Sequence, residues 1–319
     1  MTSVPLVSVI IPCYNYGHYL SEALNCISEQ TFSDWECIIV NDGSNDRTEE
    51  VALDFSGRDP RFRYFRQPNS GHSAARNHGL REARGEYVQF LDADDKLSPQ
   101  KLALHTGFLQ SRADADLVYG DVIYFDDHGP MKEQEVTPIF KKPRISGKNK
   151  LLLDNLMDDN FFTPGCTLFR KTIFEKIGGL KASYGFEDWE FWYRAALMGF
   201  SFHYDARPGT ELLVRNHEMQ TTRKYKEMML SKPAVRREII SVMERWDKEK
   251  KLNLPDVQVR SLVRKQKHLL GLDEAFYHLR YGSLLTGFKH LLLHSVPSGE
   301  PYRALYETYH LLRARQKSA

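Results

Sequence analysis

Cysteine is scarce and unpaired: Cys13, Cys26, Cys37 and Cys166 stand alone among 319 residues. None forms a C-x-x-C pair, and Cys13 and Cys37 lie in or beside apolar runs. All four are therefore expected as buried reduced thiols, not as disulfides or zinc ligands. No apolar run approaches the roughly 18–20 residues of a membrane-spanning helix, and mean hydropathy is −0.50. The apolar stretch at residues 7–11 has no Lys or Arg ahead of it and ends at Pro12. It reads as a first strand and not as a signal peptide. No G-x-G-x-x-G follows that stretch, and G-x-x-x-x-G-K-[ST] does not occur. Their absence argues against a dinucleotide dehydrogenase and a P-loop ATPase. Low-complexity segments and internal repeats are also missing.

What remains is ordinary globular composition, 41% hydrophobic and 27% charged, enough to bury a sizeable core. Charge is unevenly spread along the chain. Residues 223–319 hold 20 Lys and Arg against 10 Asp and Glu, which leaves 24 against 32 in residues 1–222. The split suggests an acidic catalytic domain over 1–222, with halves at about 1–125 and 126–222, and a basic helical region over 223–319. The basic region is expected either as a solvated helical surface or as a face for anionic lipid head groups or a polyanion.

Strand and helix patterns alternate through the first hundred residues. Apolar runs at 7–11, 35–40, 62–65, 87–91 and 117–125 read as strands, the first of them uninterrupted as in a buried parallel strand. Between them, Tyr19, Ala23, Cys26 and Ile27 recur at helical spacing, and residues 70–83 read as helix. This order predicts a mainly parallel, Rossmann-like α/β sheet flanked by helices. Beyond it, residues 126–150 read as a polar loop. A strand at 166–169, a helix at 171–177 and another from Glu187 to Met198 follow. Leu284, Leu285, Phe288, Leu291 and Leu292 share one helical face, as do Tyr302, Leu305, Tyr306, Tyr309 and Leu312, so a terminal helical hairpin is predicted.

Ligands of such sheets bind beyond the carboxyl ends of the strands. Three polar clusters fall at those ends: Tyr14-Asn15, Asp42-Gly43-Ser44 and Asp92-Ala93-Asp94. Two carboxylates spaced as Asp-x-Asp suit a hard divalent ion whose shell is completed by phosphate oxygens; a solvated acidic turn is the bland alternative. Asp42 suits a nucleotide's ribose or base or an Asx turn ordering its own loop. The small residues from Gly71 to Ala75 let backbone approach a ligand, and Arg76 suits either a diphosphate or a structural ion pair. In Phe186-Glu187-Asp188-Trp189-Glu190, a carboxylate framed by aromatic rings suits a general base, or a helix cap.

The ordered set Val7-Ser8-Val9-Ile10-Ile11-Pro12-Cys13-Tyr14-Asn15, Asn41-Asp42-Gly43-Ser44, Gly71 to Asn77, Phe90-Leu91-Asp92-Ala93-Asp94-Asp95 and Glu187-Asp188 resembles the signature of family 2 glycosyltransferases over roughly residues 5–217. The resemblance implies a GT-A fold with a helical C-terminal extension and an inverting transfer from a nucleotide diphosphate sugar, UDP-linked by preference, to a hydroxyl of a glycan or lipid-linked glycan. It implies that Pro12, Tyr14, Asn15 and Asp42 line the base pocket, with Gly71, Arg76, Asp92 and Ala93 also on the nucleotide. Asp94, with Asp92 and His217 of an Arg-x-His element, would hold Mn²⁺ or Mg²⁺, and Asp188 would be the base. A cytoplasmic location is implied, with peripheral contact at the inner membrane face through the basic region, a role in polysaccharide synthesis, a homo-oligomer as one option, and no nucleic-acid partner. Two rival readings are a non-catalytic nucleotide-sugar or glycan-binding module and a metal-dependent nucleotidyltransferase.

Overall fold

The computed structural model describes residues 4–126, 129–130, 144–148, 150–157, 160–161, 163–181, 185–218, 225–252 and 254–295. The second helix of the expected terminal hairpin and most of the 126–150 loop lie outside them. The chain divides into two compact units. One comprises Met1–Ala182 and Gly199–Glu218; the other comprises Ser183–Met198 and Met219–Ala319.

The first unit is built on β1 (Val7–Cys13), β2 (Trp35–Asn41), β3 (Phe62–Arg66), β4 (Tyr87–Phe90), β5 (Lys96–Leu97), β6 (Leu117–Tyr119), β7 (Val122–Asp126), β8 (Gly129–Pro130), β9 (Thr167–Arg170), β10 (Phe202–Tyr204) and β11 (Leu212–Arg215). A seven-stranded sheet runs β10-β6-β9-β4-β1-β2-β3, and a four-stranded sheet runs β5-β11-β7-β8. In the large sheet only β9 is antiparallel, wedged between β4 and β6. Every residue of β1 and β2 is buried, as expected where a parallel strand is covered on both faces. The flanking helices are α1 (Gly17–Ser28), α2 (Thr48–Arg58), α3 (His72–Glu82), α4 (Lys101–Ser111), α5 (Lys150–Leu156) and α6 (Thr172–Ile177).

The expected strand at 117–125 is two strands, one in each sheet, parted at Gly120 and Asp121. A side chain at Gly120 would stand 2.3 Å from the Thr210 carbonyl oxygen. That close approach, invisible in local pattern, is where the chain passes from one sheet to the other. All four cysteines are buried thiols outside any disulfide, and burial pushes the Cys13 thiol up to about 11.

One buried carboxylate braces the edge of the sheet away from the strand ends that carry the motifs. Glu36, second residue of β2, accepts from Ser8 Oγ at 2.8 Å, from the Arg84 N–H at 2.8 Å and from Arg63 Nη1 at 2.9 Å. Burial alone would raise its pKa, but hydrogen bonds from Arg84, Ser8 and Arg63 outweigh burial and hold the carboxyl below its ordinary 4.5. A carboxylate depressed on folding adds stability that is present above its unfolded pKa and lost as pH falls through the folded value. Glu36→Gln is therefore expected to cost about 2 kcal/mol at pH 7 and to flatten the fall in stability below about pH 4.5. Urea unfolding of both proteins across pH 3–7 checks both statements.

The second unit contains α7 (Glu187–Leu197), α8 (Tyr225–Lys248), α9 (Asp256–Tyr281) and α10 (Leu284–Ser295). Arg236 of α8 is 1% exposed and ties three of them. It bonds Gln266 and Asp273 of α9 and lies 4.8 Å over the Trp189 ring of α7. No described helix is long and apolar enough to cross a membrane.

Candidate active site

The loops leaving β1 and β2 are laced together by reciprocal bonds. Asn15 takes a left-handed conformation, φ 56°. Its N–H donates to Ser44 Oγ at 3.0 Å, and its Oδ1 accepts from the Asn45 N–H at 2.9 Å. The Gly17 N–H, opening α1, donates to Asp46 Oδ2 at 2.8 Å. Glycine is required there, because a Cβ would stand 2.6 Å from the Thr48 nitrogen. Pro12 is buried near the end of β1, while Tyr14, just beyond the strand, is 45% exposed.

Asp42 is buried at the next strand end and grips the loop ahead of α3. Its Oδ1 accepts from Gln67 Nε2 at 2.7 Å and the Ser70 N–H at 3.0 Å; its Oδ2 accepts from the Gly71 N–H at 2.8 Å. The turn at 41–44 is closed by Asn41 instead, whose Oδ1 accepts from the Ser44 N–H at 2.8 Å. Asp42 thus orders the loop after β3, a role that neither sequence alternative anticipated. A carboxylate oxygen has two lone pairs, so Oδ2, with a single internal donor, can still accept from a bound base.

On the other side of β1, β4 delivers an acidic turn. Asp92 Oδ1 meets Arg76 Nη2 at 2.6 Å, so the buried guanidinium of α3 reaches the acid cluster. Ala93 is buried. Asp94 Oδ2 lies 2.9 Å from His217 Nε2, joining residues 123 positions apart. Asp95 is buried and accepts from the Arg215 N–H at 3.0 Å. Burial first, then the charges of Asp94 and Asp92, raise its carboxyl well above the ordinary value. The His217 ring packs 5.6 Å from Tyr16 and 5.0 Å from Tyr19, and its Nδ1 is buried with no hydrogen-bond partner among the described residues. Burial, then Asp94, raises the Tyr16 phenol as well.

The first unit therefore brings Pro12, Tyr14, Asn15, Asp42, Gly71, Arg76, Asp92, Ala93, Asp94 and His217 to the carboxyl ends of β1, β2 and β4 and the end of β11. Asp188 belongs to the second unit, in the first turn of α7. Of the three acids in that turn, Glu187 and Glu190 are buried and Asp188 is half-buried. Glu190 is committed to Arg194 at 2.6 Å, whereas Asp188 Oδ1 accepts from the Trp189 N–H at 2.9 Å. Sequence reasoning gave no site role to Gln67, Glu22 or Lys96, placed Tyr19 only on a helix face, and quoted Asp95 only as part of the signature. A hint lay in Tyr19 and Glu22, which at i and i+3 share a helix face.

This architecture is the GT-A fold. Solved structures share it at low identity: TarS 1–349 of S. aureus in complex with UDP-GlcNAc has 19% identity, TM-score 0.63, and covers 96% of this chain and 81% of its own. The mannosyltransferase PcManGT of Pyrobaculum calidifontis, in complex with GDP-Man and Mn²⁺, has 18% identity and TM-score 0.58 over 98% and 81%. The chain belongs to glycosyl transferase family 2, whose profile matches residues 8–178. Among curated relatives, the uncharacterized glycosyltransferase EpsJ of Bacillus subtilis is 47% identical over 95 residues, 30% of this chain and 28% of EpsJ. The chain thus matches less than a third of that relative's length.

Proposed function

We propose that the protein transfers a sugar from a UDP-sugar to a hydroxyl of a glycan or lipid-linked glycan, with inversion at the anomeric carbon. The observation that carries the reading is the pairing of Asp94 with His217 beside the Arg76–Asp92 pair, at the strand ends where this fold class binds nucleotides. Family membership and the UDP-GlcNAc bound by TarS support the donor class.

In this reading the Tyr14 ring supplies a stacking face for the base, with Pro12, Asn15 and Asp42 around it, and Gly71 and Ala93 leave room for the nucleotide. The residues fit a hard divalent ion. Asp94 offers a carboxylate oxygen and His217 an imidazole nitrogen 2.9 Å apart, with Asp92 two residues away in the same turn. Among the described residues no group of three or more His, Cys, Asp or Glu side chains is gathered as a metal site, so an ion here would need diphosphate oxygens to complete its shell. Asp94, His217 and Asp92 would hold Mn²⁺ or Mg²⁺, and the ion would supply Lewis-acid stabilisation of the departing diphosphate. Arg76 holds Asp92 in place and adds positive charge to the same edge. Asp188 accepts the acceptor's proton as its oxygen attacks from the face opposite the leaving group.

Incubation with UDP-sugars, Mn²⁺ and a glycan acceptor is expected to release UDP and extend the acceptor. Binding without any turnover across the sugar panel would favour a non-catalytic module. Pyrophosphate released from a nucleoside triphosphate would favour a nucleotidyltransferase.

For the basic region we read a face for anionic lipid on α9, where Arg260, Arg264 and Lys265 are exposed. Failure of the chain to sediment with anionic vesicles would remove that part of the proposal.

A further inference from the structure

We infer that Tyr19, Glu22 and Arg215 form a clamp that holds His217 against Asp94, so that one face of α1 sets divalent-cation affinity. The inference rests on the reading of Asp94 and His217 as cation ligands and adds three residues that touch neither nucleotide nor ion.

His217 follows β11, where the Asn216 N–H donates to the Phe125 carbonyl at 2.7 Å. Beyond it the imidazole is held by Asp94 and by the rings of Tyr16 and Tyr19.

Arg215, two residues earlier, is the anchor. Its side chain is 5% exposed. The guanidinium lies between the Tyr19 ring at 4.8 Å and the Phe125 ring at 4.6 Å. Its Nη2 meets Glu22 Oε2 at 2.6 Å, and its Nε donates to the Asp94 carbonyl at 3.3 Å. Its N–H donates to Asp95 at 3.0 Å. Glu22 also meets Lys96 Nζ at 2.7 Å.

Arg215 therefore touches the acidic turn at two points and α1 at two more. Tyr19, one helical turn before Glu22, packs on both Arg215 and His217. A planar fork with delocalised charge suits this position, because it stacks between rings while bonding in its own plane. An ammonium would keep the charge and lose both features.

Outer partners of this kind change metal affinity about 10–100-fold when removed. The experiment titrates Mn²⁺ into the full chain at saturating UDP and reads free Mn²⁺ by electron paramagnetic resonance. A parallel calorimetric titration measures UDP binding without metal.

Arg215→Lys and Glu22→Gln are expected to weaken Mn²⁺ binding about 10–100-fold with metal-free UDP binding unchanged. Tyr19→Phe, which keeps the ring, is expected to bind Mn²⁺ as the wild type does. In a His217→Ala background Arg215→Lys is expected to add little, because the ligand it positions is gone. Wild-type Mn²⁺ affinity in both Arg215→Lys and Glu22→Gln overturns the clamp. So does a matching loss of metal-free UDP binding, which would mark a general role in the fold. If wild type and His217→Ala bind Mn²⁺ alike, the failure lies in the ligand assignment instead.

Discussion

Asp188→Asn is expected to lower kcat by about 10²–10⁴-fold, the usual contribution of a positioned base, while leaving donor affinity unchanged. The substitution keeps the side chain's shape, and an amide oxygen can still accept the Trp189 N–H that Asp188 now accepts. What it removes is the ability to take a proton from the acceptor hydroxyl. The choice among the three acids follows from burial. Glu190 is buried and bound to Arg194, and Glu187 is buried too, so Asp188 has the greatest access to a substrate of the three. Glu190→Gln is a useful contrast: breaking its buried pair should cost stability, on the order of 3–5 kcal/mol, before it costs chemistry. Steady-state transfer assays with calorimetric donor titrations read both variants. Turnover in Asp188→Asn equal to wild type would dispose of the base assignment.

Asp94→Ala is expected to abolish the part of donor binding that depends on Mn²⁺. Removing an outer-shell partner typically costs about 10–100-fold in metal affinity, and removing a ligand should cost at least that. His217 would be left facing an apolar methyl where a carboxylate oxygen stood 2.9 Å away. Calorimetry with a UDP-sugar, with and without Mn²⁺, separates the contributions: the metal-free arm should be unchanged and the Mn²⁺ enhancement lost. Retention of the enhancement in Asp94→Ala would place the ion elsewhere.

Local pattern carried much of the sheet and half of the site. The uninterrupted run ahead of Pro12 and the apolar stretches ending at Asn41 and Leu91 are buried strands because only such strands need apolar residues on both faces. Polar clusters directly after them mark one edge, and Asp92 and Asp94 are neighbours in the chain, so their proximity required no knowledge of the fold. His217 was legible only through its motif, since a contact across 123 residues leaves no periodic trace. Long-range partners escaped for the same reason. Glu22 and Arg215 lie 193 residues apart; Glu22 alone reads as an ordinary charged surface residue, and the motif that contains Arg215 says nothing of its partner. The antiparallel insertion of β9 escaped because an apolar strand carries no sign of its direction. Asp42 and Asn41 were hard to tell apart, since either side chain can close a turn. The grouping of α7 with the C-terminal helices was equally hidden, because α7 is continuous in sequence with segments of the other unit.

The lacing of the loops after β1, β2 and β3 has a thermodynamic consequence. Fixing one residue's backbone costs about 1–2 kcal/mol of conformational entropy, and Asn15, Ser44, Ser70 and Gly71 are already restrained by bonds within the chain. A nucleotide bound at this edge, as proposed above, would meet a surface whose ordering was completed during folding, so little of its interaction energy would be diverted into immobilising loops.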